Sequence, residues 1–358
     1  MIFKDSQELT VEFEKKKYRK IVAKRVFFIA VSIIMLFIVF GVALALGSAD
    51  LTFFDAYSAV FARFFPTLFH TSSLADTVVW TLRLPRILLT IFAGAVLAMG
   101  GCTSQAILRN LIATPYTLGV SAGAGLGAAV GIILGTGFIG GDFMVIGNAF
   151  VFSIIPLAVI LLLVKQRRAS PETMILAGVA MVYIFNACTT ILQYFAEANA
   201  VSATVFWLVG DLSRAAWSQL PLVLFMLVAS FVINIWLAWD INVLKMGDDT
   251  AKSLGVDVDR TQRISLIIAC LSTAVVVAFT GAIGFVCLVA PHICRAFIGQ
   301  DQRVLIISSA LVGSILLLVA DIVARQLLSP IVLPVGAITA FLGGPLLLYM
   351  LVKRKSIL

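Results

Sequence analysis

Charge is scarce in this 358-residue chain: Asp, Glu, Lys and Arg make up 12% of it, against about 25% in a soluble globular domain. Hydrophobic residues make up 61%, where a soluble domain has about 45–50%. So few charges cannot cover a water-soluble fold of this length. A bilayer removes the conflict, because a spanning helix satisfies its own backbone and turns apolar side chains towards hydrocarbon.

Other absences narrow the chemistry. No Gly precedes any Lys, so a phosphate-binding P-loop of the G-x-x-x-x-G-K type is absent, and no nucleotide is hydrolysed by that route. Histidine occurs only as His70 and His292, in different regions, and H-E-x-x-H is missing, which removes metal-dependent membrane hydrolysis. A structural or capping role suits both histidines. The five cysteines (Cys102, Cys188, Cys270, Cys287, Cys294) lie in or beside apolar runs without a C-x-x-C, and read as small hydrophobes, not as disulfides or metal ligands. No Asp or Glu stands near the middle of an apolar run; Asp321 lies towards the end of one, and Glu197 follows another. The chain therefore lacks the mid-membrane carboxylates with which ion-driven transporters bind their coupling ion.

Ten apolar runs are present. A spanning helix needs about 20 such residues, and the runs cover approximately 26–46, 87–107, 117–135, 144–164, 173–195, 220–239, 264–280, 284–298, 304–325 and 335–352. Only Gly281-Ala282-Ile283-Gly284 separates the seventh from the eighth. The expected architecture is an all-α membrane protein with one transmembrane domain over 26–352, a basic N-tail over 1–25 and a short C-tail over 353–358. The first run has a small-residue site at Ala43-Leu44-Ala45, but its length and the acidic residues before it favour a retained helix over a cleaved signal.

The net charge of +8 is distributed as membrane topology requires, not as a nucleic-acid-binding face. With a cytoplasmic N-terminus and an even number of spans, 21 of the 26 basic residues fall on the cytoplasmic side. The other five are Arg63, Arg83, Arg86, Arg214 and Arg325. Two connections are long. Residues 47–82 lie outside and are rich in aromatics, which suits an interfacial helix; residues 240–263 lie inside and are polar. A short outer helix is expected within 196–219. Gly94-x-x-x-Ala98, Gly313 and the ladder Gly119, Gly123, Gly127 and Gly131 mark close helix packing. On the fifth run, Asn186, Thr190 and Gln193 share one helix face, as interhelical glue or as the lining of a pathway.

Five stretches in a fixed order carry a family resemblance. They are Leu82-Arg83-Leu84-Pro85-Arg86; residues 105–124, QAILRNLIATPYTLGVSAGA; residues 247–256, GDDTAKSLGV; Gly281-Ala282-Ile283-Gly284-Phe285-Val286 through Pro291-His292-Ile293-Cys294-Arg295; and Ala320-Asp321-Ile322-Val323-Ala324-Arg325 followed by Leu333-Pro334-Val335-Gly336. Over roughly 79–353 the chain resembles the permeases of ABC importers for iron chelates, haem and vitamin B12. It departs from that pattern at Asn110-Leu111-Ile112-Ala113, where the family commonly has Asn-Pro-Leu-Ala; at Asp249-Thr250-Ala251, for Glu-Ala-Ala; and at Cys287, for Gly.

The resemblance implies a type II importer permease of about ten helices per subunit in the cytoplasmic membrane. It implies pairing with a second copy, two ATPase subunits below, and a substrate-binding protein docking above. ATP is then used by the partner subunit, and the permease binds no cofactor or metal and has no catalytic residue. Arg83, Arg86 and Arg325 would receive acidic side chains of the binding protein, for which a guanidinium is well suited, although interfacial snorkelling also fits them. Asp248, Asp249, Ala251, Leu254 and Gly255 would belong to the loop that couples to the ATPase, Gly255 as a left-handed C-cap and Asp248 or Asp249 as the N-cap of a short helix. Asn186, Thr190 and Gln193 would lie on the pathway helix. Pro334 and Gly336 would stand at an outer mouth or in a simple loop. Siderophore-bound iron is the foremost cargo; haem, cobalamin and molybdate are rivals. A gradient-driven secondary transporter is the alternative from another class, and a polytopic membrane enzyme has little support.

Overall fold

The structure is a computed structural model that describes residues 2–47, 51–165 and 170–354. Of the expected tails, residue 1 and residues 355–358 lie outside this range. The described residues form α1 (Ile2–Ala45), α2 (Phe53–Ala62), α3 (Ser73–Thr77), α4 (Leu84–Ile107), α5 (Val120–Leu134), α6 (Met144–Lys165), α7 (Pro171–Tyr194), α8 (Ala198–Val209), α9 (Leu220–Trp236), α10 (Ala238–Leu244), α11 (Asp248–Ser253), α12 (Val258–Thr280), α13 (Val286–Ile298), α14 (Gln302–Gln326) and α15 (Val335–Arg354). A π-helical turn, Val78–Arg83, runs without a break into α4 and absorbs Pro85 at its start.

Six helical stretches are long and apolar enough to cross a bilayer: Lys15–Ala45, Ser73–Ile107, Met144–Lys165, Pro171–Tyr194, Val258–Thr280 and Gln302–Gln326. A seventh is broken. The run expected over 220–239 continues as α9 and α10, which meet at an angle of 56°. Of the three remaining runs, α5 and α13 are shorter helices of 15 and 13 residues, and α15 has 20 residues. At 1.5 Å per residue, the 13 residues of α13 span only about 20 Å of a hydrocarbon layer of about 30 Å. The missing depth is supplied by residues 281–285, which are not helical. Hydropathy counts such a segment as helix because its side chains are equally apolar.

Helices α4 and α12 are mostly buried, and α1 and α7 mostly exposed. Glycines set the closest approaches. A Cβ on Gly94 of α4 would stand 2.5 Å from the Gly313 carbonyl oxygen of α14, and one on Gly313 would stand 2.4 Å from the Gly94 carbonyl oxygen and from Ala98 Cβ. The expected small-residue contact is therefore a reciprocal backbone contact. The glycine ladder of α5 meets α6 in the same way, with Gly123 against Phe152 and Gly127 against Asn148. Both short helices expected over 47–82 and 196–219 are present. In α2, Thr52 and Asp55 form a capping box, Ala56, Ser58 and Ala59 turn inward, and Phe53, Phe54 and Phe61 remain exposed. The other is α8.

Candidate functional site

The polar side chains gather at the two ends of the bundle. At one end stand Arg83, Arg86 and Arg325, and all three are turned inward, 4%, 9% and 7% exposed. Asp321, fully buried on α14, pairs with two of them. It accepts from Arg86 Nε at 2.8 Å and from Arg325 Nε at 3.0 Å, and Arg86 Nη2 approaches the same carboxylate at 2.7 Å. The other donors close the C-terminus of α1. Arg83 Nη1 donates to Leu44 O (2.7 Å) and Ala45 O (2.9 Å); Arg325 Nη1 donates to Leu46 O (2.8 Å). The last carbonyls of a helix lack intrahelical partners and carry partial negative charge, so cations are stabilised there. The arginines are thus neither free surface groups nor snorkelling ones: they lock α1 to α4 and α14. Two of the guanidiniums, those of Arg86 and Arg325, share the Asp321 carboxylate.

Beside this cluster the chain crosses itself at close range. Gly281 (φ +68°) lies where a Cβ would be 2.3 Å from Trp207 O, and a Cβ on Gly336 would be 1.9 Å from Val209 O. Asp211 N donates to Thr280 O (2.8 Å) and Tyr116 Oη to Ile283 O (2.8 Å). The first bond satisfies the end of α12 and the second part of the non-helical backbone of 281–285, the condition on which irregular chain is tolerated at membrane depth. Gly336 therefore opens α15 in a packed junction, not in a simple loop. A cavity of about 430 Å³ lies alongside, with Asn199, Ser202, Asp211, Ser213 and Arg214 among its polar lining.

At the other end, α11 is the short helix expected in the 240–263 loop. Its N-cap is Gly247 (φ +116°), not Asp248 or Asp249, and no side chain caps it. Asp248 and Asp249 instead occupy the first turn, where negative charge is favoured by the helix dipole, and Asp248 is ion-paired with Arg109. Gly255 does take the left-handed conformation (φ +82°). Gly255 N donates to Lys252 O (3.0 Å) and Val256 N to Ala251 O (2.9 Å), the paired bonds of a Schellman termination. Ala251 is fully buried against the core, while Leu254 (63% exposed) and Met246 (70%) project from the surface. Asp257 then caps α12 by accepting from Arg260 N (3.0 Å). This end is also pinned to α1, since Arg25 Nη1 pairs with Asp301 at 3.1 Å. Burial raises the pKa of the Asp301 carboxyl, but hydrogen bonds from Asn242 and Arg303 N and the charges of Arg25 and Arg303 outweigh it and hold that pKa below its ordinary value.

On α7, Asn186 and Thr190 are exposed and Gln193 is half-buried; Thr190 Oγ1 donates back to Asn186 O (2.9 Å). The three stay on one outward face and are not brought together with either cluster. Two features escape a linear reading. Arg109, itself at φ +48°, joins the second motif to the third through Leu244 O (3.1 Å) and Asp248. Asp321 has an i, i+4 relation to Arg325 that is visible in sequence, but its second partner lies 235 positions away.

The FecCD transport family matches residues 33–353. The chain belongs to the FecCD transport family. It is 42% identical to a protein of Methanocaldococcus jannaschii named as an ABC transporter permease, over 94% of this chain and 97% of the relative. It is 38% identical to the cobalamin import system permease protein BtuC of Halobacterium salinarum (81% and 77% covered) and 32% identical to the hemin transport system permease protein HmuU of Yersinia pestis (88% and 93%). Its fold is similar to a solved structure described as a metal-chelate type ABC transporter in an inward-facing conformation, with a TM-score of 0.78, 27% identity, and 91% and 98% of the two chains covered. As a FecCD member the chain is a multi-pass ABC importer permease of the type II fold, a transport subunit whose family works with a separate ATPase and a substrate-binding protein.

Proposed function

We propose that this permease passes an iron chelate of the siderophore type across the cytoplasmic membrane of a prokaryote. In this reading it works as a homodimer with two ABC ATPase subunits and one extracytoplasmic substrate-binding protein. The observation that carries the reading is the family match over 33–353 on a fold shared with a metal-chelate type transporter. Both termini are assigned to the cytoplasm, because the basic residues concentrate at the end that holds Arg25, Arg109 and α11.

The two polar ends then take different partners. Asp248, Asp249, Ala251, Leu254 and Gly255 form the coupling element, and the exposed Leu254 and Met246 offer an apolar contact for the ATPase. Arg83, Arg86 and Arg325 receive acidic side chains of the binding protein, a reading that rests on the family match of the motifs that carry them. Asn186, Thr190 and Gln193 face the pathway between two copies, which the exposure of that face of α7 supports. The chain itself binds no cofactor, and ATP is consumed by the partner.

Cobalamin, haem and molybdate are the rival cargoes, and relatives named for cobalamin and hemin transport are similar to this chain. Uptake by proteoliposomes holding the permease, its ATPase and its binding protein decides among them. ATP-driven accumulation of a ferric siderophore is expected. Accumulation of cobalamin, haem or molybdate in its place overturns the siderophore assignment.

A further inference from the structure

A second, smaller cavity, of about 190 Å³, opens at the Arg109 end, between the C-terminus of α4, the turn after α10, α13 and the start of α14. Its polar lining is Gln105, Arg109, Lys245, Arg295, Gln300 and Gln302. Three of these are cations, and no carboxylate lines the cavity among the described residues. Among the described residues, Asp248 at its edge is engaged by Arg109, and Asp301 by Arg25 and Asn242.

Gln105 is 3% exposed, yet neither its Nε2 nor its Oε1 has a hydrogen-bond partner. A buried amide left unsatisfied costs free energy, and such a group in a native fold needs an explanation. Lys245 points the same way. Its ammonium donates to Gln300 O (2.6 Å), but burial lowers its pKa to about 8, with Arg295 lowering it further and Cys102 and Asp301 raising it. An anion in the cavity would accept from Gln105 Nε2 and offset the crowding of Lys245 with Arg295.

We infer that this cavity is a binding site for a phosphate group, held by Lys245, Arg295 and Gln105. The donors suit an oxyanion, and basic pockets between helices at the cytoplasmic face take phospholipid headgroups. The lipid source rests on the proposal that this end is cytoplasmic; the anion site itself does not. The phosphate group is either the headgroup of an acidic lipid or free phosphate, and both present the same oxygens.

The test uses the purified chain alone, so it does not depend on transport. Thermal unfolding is followed in phosphatidylcholine nanodiscs titrated with inorganic phosphate, and in nanodiscs containing phosphatidylglycerol. A rise in melting temperature with phosphate assigns the site to the free ion; a rise with phosphatidylglycerol alone assigns it to lipid. Lys245→Gln and Arg295→Gln each weaken the response about tenfold, the loss of one charge-assisted hydrogen bond. Gln105→Glu keeps the side chain's shape and abolishes the response by repulsion. Arg63→Gln, at the opposite end, leaves it unchanged. No rise in either arm, or wild-type responses in all three cavity variants, overturns the site.

Discussion

At the scale of single residues, arginine burial departs furthest from what the sequence shows. A sparse outer arginine reads as a surface group because its cost in a membrane is high. Here the cost is offset by Asp321 and by the terminal carbonyls of α1, and no local pattern announces that α1 ends within reach of α4 and α14. The pairing predicts a split phenotype for Asp321→Asn. The variant leaves Arg86 and Arg325 without their carboxylate, and breaking a buried pair costs about 3–5 kcal/mol. The lower part of that range is expected, because Arg325 keeps Leu46 O as an acceptor. The same change adds net positive charge to the cluster. Thermal unfolding should therefore show a clear loss of stability, while pull-down of the binding protein below the melting temperature is retained. Charge reversal at Arg83 and Arg86 should lose that association. Loss of binding in Asp321→Asn, or its retention after the double reversal, would count against docking at this cluster.

At the scale of elements, glycine spacing is the most legible signal. Gly94, Ala98 and Gly313 predict a close crossing, and α4 meets α14 at those residues because a side chain there would strike backbone. Gly255 predicts a helix end for a different reason. A Cβ on it would meet nothing within 4 Å, so its conformation, not its space, makes glycine suitable. The N-cap of α11 is misread from sequence because Asp248 is drawn to Arg109, 139 positions away, leaving the cap to Gly247. The conformational argument gives a sharp test. Gly255→Val places a β-branched residue at φ +82° and should cost about 1–3 kcal/mol of local strain, loosening the termination of α11. In the reconstituted complex, ATP hydrolysis should continue while transport per ATP falls. Gly255→Asn should stay close to wild type, since Asn tolerates the left-handed region. Equal coupling in the valine variant would show that the helix end does not transmit the ATPase stroke.

At the scale of the whole molecule, both the strength and the limit of hydropathy are visible. Ten apolar runs lead to the right architecture, yet two of them, α5 and α13, are helices too short to cross a bilayer alone, and one bends by 56°. The depth of α13 is completed by residues 281–285, which lie against Trp207 O and accept from Tyr116 Oη. What the molecule lacks matters as much for its energetics. Asp321 is the one buried carboxylate among the described residues, and it is held between two guanidiniums. A proton or sodium ion would have to displace an arginine to bind there, so the site is poorly suited to carry a coupling ion. Energy then comes from the separate ATPase with which the family works, and α11 is its proposed point of entry. In proteoliposomes carrying the permease, its ATPase and the binding protein, uptake should require internal or external ATP according to the face on which the ATPase sits. It should persist when ionophores collapse the proton and sodium gradients. Uptake that needs a gradient and proceeds without the ATPase would place this chain among secondary transporters despite its family.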